Sequence, residues 1–180
     1  MLFETSKGRI HDHAHMAGYY AIATGREFIG GPYPFMLYPS FWDGEAFGRT
    51  MHSIPVEEFR RYLTLYNIGW IIAHTPQSQS FLATVPGVAR AGTYQELNAY
   101  RVEQPLSYFL VGSGKVRERA INRVVLSDLS GSDAVIKYHY VPGLHADPPT
   151  RLAPFWVAGI RRPFVRLSAI AGSRVELSVP

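Results

Sequence analysis

Residues 56–75, VEEFRRYLTLYNIGWIIAHT, limit the fold of this chain more than any other stretch. Val56, Phe59, Leu63 and Tyr66 fall at i, i+3, i+7 and i+10, which is one apolar stripe of a helix. Glu57, Glu58, Arg60 and Arg61 take the other face, acids before bases, as the helix dipole favours. Ser53-Ile54-Pro55 opens the helix, because Ser caps well and Pro is tolerated in a first turn. Asn67-Ile68-Gly69 stops it, since Asn and Gly accept left-handed backbone angles. Trp70-Ile71-Ile72-Ala73 then reads as a short strand covered on both faces. A helix feeding a buried strand predicts an α/β layer.

The rest of the N-terminal half extends that layer. Residues 1–5 (MLFET) read as a strand, His13 to Thr24 as either a short helix or an irregular covered segment, and Glu27 to Gly31 as a strand ending in two glycines. Residues 32–50 hold too many Pro and Gly for a regular element and too many rings for a solvated loop. They are expected to form a long ordered loop that packs its aromatics on a surface. Thr75 and Pro76 open a second helix over 76–85. VARAGTY and LNAYRV form a hairpin turning near Gln95-Glu96.

After Glu103-Gln104-Pro105 helical periodicity disappears. Strand-like runs cover 107–111, 116–129, 134–141, 152–160, 164–170 and 174–179, separated by Gly/Ser/Pro/Asp clusters. Ile136, Tyr138 and Tyr140 alternate with Val135, Lys137 and His139, so one face of that strand is Ile-Tyr-Tyr. The expected fold is α+β: an α/β subdomain over 1–103, then an antiparallel β-sandwich-like subdomain over 104–180, either separate or one continuous body.

Composition excludes several functions. With no cysteine there is no disulfide, thiolate metal site or Cys nucleophile. The net charge of +4 is scattered, so no nucleic-acid partner is expected. No segment approaches the roughly 20 apolar residues of a membrane span. Charged residues make up 18%, against about 25% on average, while aromatics reach 13%. That balance points to large apolar surfaces not all covered by the chain's own fold.

Two clusters could carry chemistry. His11, His13 and His15 would share one face of a strand, and His11 and His15 would be i and i+4 on a helix, a spacing that can hold Zn²⁺. No third ligand stands at a recognised spacing, and surface histidines give the same pattern. Phe41, Trp42, Asp43 and Glu45 place two carboxylates among rings, a combination suited to stacking a sugar or seating a partner. No catalytic residue and no cofactor is assigned. Gly30-Gly31 lacks a nucleotide-binding pattern, and Gly112-Ser113-Gly114 lacks the nucleophile-elbow pattern.

GRIHDH, ATGREFIGG, SIPVEEFRRYLTLYNIGWIIAH, LNAYRVEQPLSYFLVGSGKV and VIKYHYVPGL together resemble the C-terminal soluble domain of bacterial multi-pass glycosyltransferases of the GT-C type, which use polyprenyl-phosphate sugars, and of their uncharacterised relatives. The likeness spans most of residues 1–145 and is more specific for architecture than for substrate. It implies a non-catalytic domain on the extracytoplasmic, periplasmic side of a membrane. The partner would be the transmembrane portion of the same polypeptide, preceding residue 1. The domain would bind or position a glycan or lipid-linked sugar. Catalytic acids in that family lie in an early loop that none of these motifs matches. Two alternatives stay open: a metal-dependent enzyme built on His11, His13 and His15, and a ligand-free interaction module.

Overall fold

The computed structural model describes residues 1–5, 13–29, 41–120 and 122–179, with the backbone alone for 13–18. The fold is α+β, and the chain divides into two compact units, Met1–Leu106 and Ser107–Pro180. The sequence pattern placed the change after residue 103. No helix among the described residues is long and apolar enough to cross a membrane.

The first unit is built on a four-stranded sheet in the order β1-β5-β7-β6. These strands are β1 (Leu2–Phe3), β5 (Trp70–Ala73), β6 (Val88–Tyr94) and β7 (Leu97–Val102). β1 runs parallel to β5, and the other pairings are antiparallel. Leu2 pairs with Ile71, and Ile71 with Tyr100, so these three side chains share one buried face. Phe3, Ile72 and Ala99 point the other way. Trp70 and Ile72 are only half-buried, so β5 alternates instead of being covered on both faces as its apolar run suggested. Of the strand expected over 27–31, Ile29 makes one parallel bridge to Leu2, while Gly30 and Gly31 lie outside the described residues.

Among the described residues, three α-helices accompany this sheet: α1 (His13–Thr24), α2 (Val56–Leu65) and α3 (Pro76–Leu82). Helix α2 buries Phe59, Tyr62, Leu63 and Leu65, a wider stripe than the pattern predicted, with Val56 half-exposed. Asn67 ends it at φ 53°, the left-handed stop expected there. Phe59 meets Phe81 of α3 edge-on at 5.1 Å, and Phe47 at 5.9 Å. Tyr20 of α1 lies 6.4 Å from Phe3 and 6.5 Å from Phe28, so α1 is held by rings on the opposite sheet face.

Residues 41–50, expected as the end of a loop, form a small meander: β2 (Phe41–Trp42), β3 (Glu45–Ala46) and β4 (Arg49–Thr50). Its two connections have positive φ at both residues, Asp43-Gly44 (43° and 81°) and Phe47-Gly48 (54° and 75°). That is the tight-hairpin geometry whose twist matches the flanking strands. Asp-Gly is a common pair for it. Phe47 is not, and its left-handed backbone is held by a ring that stacks 5.6 Å from Tyr66 and lies tilted 4.6 Å from Tyr62.

The second unit is one six-stranded antiparallel sheet. Its strands are β8 (Phe109–Ala120), β9 (Arg123–His139), β10 (His145–Asp147), β11 (Arg151–Phe155), β12 (Phe164–Ser168) and β13 (Val175–Ser178). Its spine is the β8–β9 hairpin. The first part of β9 pairs with β13 and the last part with β12, while β8 follows it along its length. The sheet thereby curls, nearly closed, around Leu126, Ile136, Val165, Leu167, Val175 and Leu177. Tyr138 and Tyr140 pack on this core with Ile136, the face expected from their alternation.

Two expected breaks moved. Gly112-Ser113-Gly114 and Ser130-Gly131-Ser132-Asp133, read as turns, lie inside β8 and β9. They face each other across the hairpin, with Ser113 opposite Ser130 and register shifts on both sides. Glycine there permits bulges that bend a long ribbon, so the same residues that end strands elsewhere curve these. The true reversal falls between the paired residues Ala120 and Arg123, inside what looked like one strand over 116–129. The strand expected over 152–160 stops at Phe155, and β10 was missed.

His139 stacks on buried Phe164 at 5.3 Å. Burial holds its imidazole below the ordinary 6.5, against an opposing contact from the Pro163 carbonyl. The unfolded chain therefore binds a proton that the folded chain resists. This contribution to stability is complete above pH 6.5 and is lost as the pH falls below it. The urea midpoint of the second unit is expected to drop between pH 7 and pH 5, and to drop less in His139→Gln.

Candidate functional site

The sequence-selected residues Phe41, Trp42, Asp43 and Glu45 sit in and around the first hairpin of the meander. Pleating sends neighbours to opposite faces. Phe41 and Ala46 pair on the inner face, and both are fully buried. Trp42 and Glu45 pair on the outer face, where Trp42 is half-buried and Glu45 exposed. The indole Nε1 donates to Glu45 Oε2 at 3.1 Å, fixing ring and carboxylate against each other. Asp43 is exposed at the tip. The arrangement is an aromatic face flanked by two carboxylates. A ring face stacks on apolar C–H surface, and a carboxylate has acceptor capacity beyond one hydrogen bond.

Phe41 cannot serve as a contact residue, because none of its surface is exposed. Phe41→Ala is expected to destabilise the first unit by about 3 kcal/mol, the cost of emptying a buried ring site, while Trp42→Ala costs much less. Urea titration of the two variants distinguishes them.

What holds the hairpin in place is Glu4, which the sequence reading passed over. Strand parity sends Glu4 to the same side as Leu2, into the interior, and its exposure is 0%. Its Oε1 accepts from Gly44 N at 2.8 Å, Thr75 Oγ1 at 2.7 Å and Ser78 Oγ at 2.6 Å. Its Oε2 accepts from His74 N at 2.7 Å and Thr75 N at 3.1 Å. One carboxylate thus joins β1, the Asp43-Gly44 turn and the β5–α3 junction. Among the described residues, all five of these donors are uncharged. Thr75 also caps α3 through Ser78 N, as Thr75-Pro76 predicted. Thr5 completes the seam: Thr5 N donates to Phe41 O at 2.9 Å, and Asp43 N to Thr5 O at 3.1 Å.

The carboxylate signal available in sequence was the charge in MLFET, at a position whose parity is that of core. Nothing local distinguishes such a residue from an exposed strand-end acid, because its donors are 40 and 70–74 residues away.

His11 lies outside the described residues, and of His13 and His15 only the backbone is described, in the first turn of α1. Among the described residues no group of three His, Cys, Asp or Glu could hold a metal ion. No protein-family model, no curated protein and no solved structure matches the chain.

Proposed function

We propose that this chain is a non-catalytic, extracytoplasmic domain of a glycosyltransferase-like membrane protein, and that it holds a glycan or lipid-linked sugar through Trp42, Asp43 and Glu45. The observation that carries the reading is the Trp42–Glu45 pair. A ring and a carboxylate are locked together at 3.1 Å on the outer face of a hairpin. The hairpin is itself pinned to the first unit through Gly44 and Glu4. A sugar site needs such preorganisation, because weak stacking and hydrogen bonds add up only when the groups are already placed. The likeness of the YNIGW and YHYVPGL motifs to polyprenyl-phosphate-sugar glycosyltransferases supplies the class of ligand and the side of the membrane.

The reading is tested by screening the 180-residue protein against neutral and acidic oligosaccharides and a short-chain polyprenyl-phosphate sugar, using isothermal titration calorimetry. Binding by the intact protein, weakened at least about tenfold in Trp42→Ala and in Glu45→Gln, is expected. No binding, or binding that both variants keep in full, would refute it. Turnover of the donor by this chain alone would refute the non-catalytic part.

A further inference from the structure

The Asp43-Gly44 turn and the first turn of α3 hang on one anchor. Glu4 Oε1 accepts from Gly44 N and from the hydroxyls of Thr75 and Ser78. Gln77 lies between Thr75 and Ser78 in sequence, and it is exposed. It is held against the hairpin. Gly44 has φ 81°, and a Cβ there would lie 3.4 Å from Gln77 Oε1 and 3.5 Å from Gln77 Cβ. The stem and amide of Gln77 therefore rest against the turn that joins Trp42 to Glu45. Two other glutamines of this unit are committed to backbone carbonyls. Gln79 donates to His74 O at 3.0 Å, and Gln104 donates to Leu63 O at 3.0 Å and to Ile68 O at 2.7 Å. Among the described residues, the Gln77 amide makes no such bond.

We propose that Gln77 is a specificity-determining residue of the Trp42 site, its amide donating to one hydroxyl of an uncharged sugar unit whose neighbouring hydroxyl donates to Glu45. The proposal rests on the sugar reading above. The side chains of the hairpin leave a gap that an amide fills. Trp42 offers a ring face, and its indole N–H is committed to Glu45. Asp43 and Glu45, as carboxylates, only accept. A sugar hydroxyl both donates and accepts, so acceptors alone satisfy half of it. A primary amide brings two donors and an acceptor. The same carboxylates select the charge of the ligand, because an acidic sugar would bring like charge beside them. A site that hydrogen-bonds a hydroxyl discriminates strongly against an analogue that lacks it.

The test is calorimetry on the full chain with cellobiose, mannobiose, lactose and a glucuronate-containing disaccharide, then with single-hydroxyl deoxy forms of whichever neutral sugar binds. Gln77→Met keeps the stem that packs on Gly44 and removes the amide. Gln77→Glu keeps the shape and replaces the donor with an acceptor. At an exposed position both variants are expected to keep the urea midpoint of the parent. Binding of a neutral disaccharide is expected to weaken about fivefold in Gln77→Met, and about tenfold or more in Gln77→Glu. One deoxy form is expected to bind the parent about fivefold more weakly and to lose nothing further in Gln77→Met, the non-additivity that marks a direct contact. A preference for the glucuronate sugar, full binding by Gln77→Met, or equal deoxy losses in parent and variant would overturn the proposal. Binding that needs Trp42 yet survives both Gln77 variants removes the role of Gln77 and leaves the sugar reading standing. Failure of every sugar to bind removes both together.

Discussion

Glu4→Ala is expected to destabilise the first unit by about 4 kcal/mol, among the largest effects of any single replacement in the chain. The carboxylate accepts five hydrogen bonds at full burial. Its donors are not equivalent. The Thr75 and Ser78 hydroxyls can turn, and with their oxygens 2.9 Å apart they can bond each other. The amides of Gly44, His74 and Thr75 cannot turn. Each buried amide left without an acceptor costs about 1–3 kcal/mol, and a water entering the vacated space offsets part of that. Glu4→Gln separates acceptor number from side-chain volume. Its oxygen can serve the fixed pair His74 N and Thr75 N, and its NH₂ can donate to the two hydroxyls. Gly44 N alone is then left facing a donor, so a loss of about 2 kcal/mol is expected. Urea titrations followed by hydrogen exchange, read at the amides of β5 and β7, give both numbers. A Gln variant as stable as the parent would show that the second acceptor oxygen is not required. The site gives a second reading of the same variants. Gly44 is the hairpin's anchor, so Glu4→Ala should loosen Trp42 and Glu45 and weaken any ligand they hold, with neither side chain altered.

Local pattern fixed the elements whose information is contiguous. The α2 stripe, the Asn67 stop, the Thr75-Pro76 cap and the turn at Gln95-Glu96 all depend on residues within a few positions of one another. The meander was illegible because its turns use Phe47, a residue that enters the left-handed region only with a packed ring to hold it there. Phe41 and Trp42 are adjacent aromatics that composition cannot tell apart. Pleating buries one and presents the other. The candidate site was therefore half visible: the ring and carboxylates that could touch a ligand were named, and the buried acid that positions them was not. In the second unit glycine misled, because it serves both a turn and a bulge, and only the partner strand decides which.

That ambiguity makes the glycines of β8 and β9 the sharpest test of the second unit. Gly114→Val is expected to cost about 4 kcal/mol or to prevent that unit from folding. A Cβ at this position would lie 2.8 Å from Phe109 Cζ, 2.9 Å from Leu129 Cδ2 and 2.9 Å from the Ser127 carbonyl oxygen. Phe109 and Leu129 belong to the core and cannot step aside without opening it. Ser127 O is backbone of the paired strand, so relief there means parting the ribbon at its bend. Gly131 is the matched comparison. It lies in the facing bend at φ 82°, yet a Cβ there meets nothing within 4 Å. Gly131→Ala should therefore cost only the left-handed backbone penalty, about 1 kcal/mol. If the glycines were flexible turn residues, as their sequence suggests, both substitutions would be tolerated alike. If they are the close-packed inner corner and the open outer corner of a bent ribbon, Gly114→Val fails and Gly131→Ala folds. Circular dichroism and urea midpoints of the two variants decide between them.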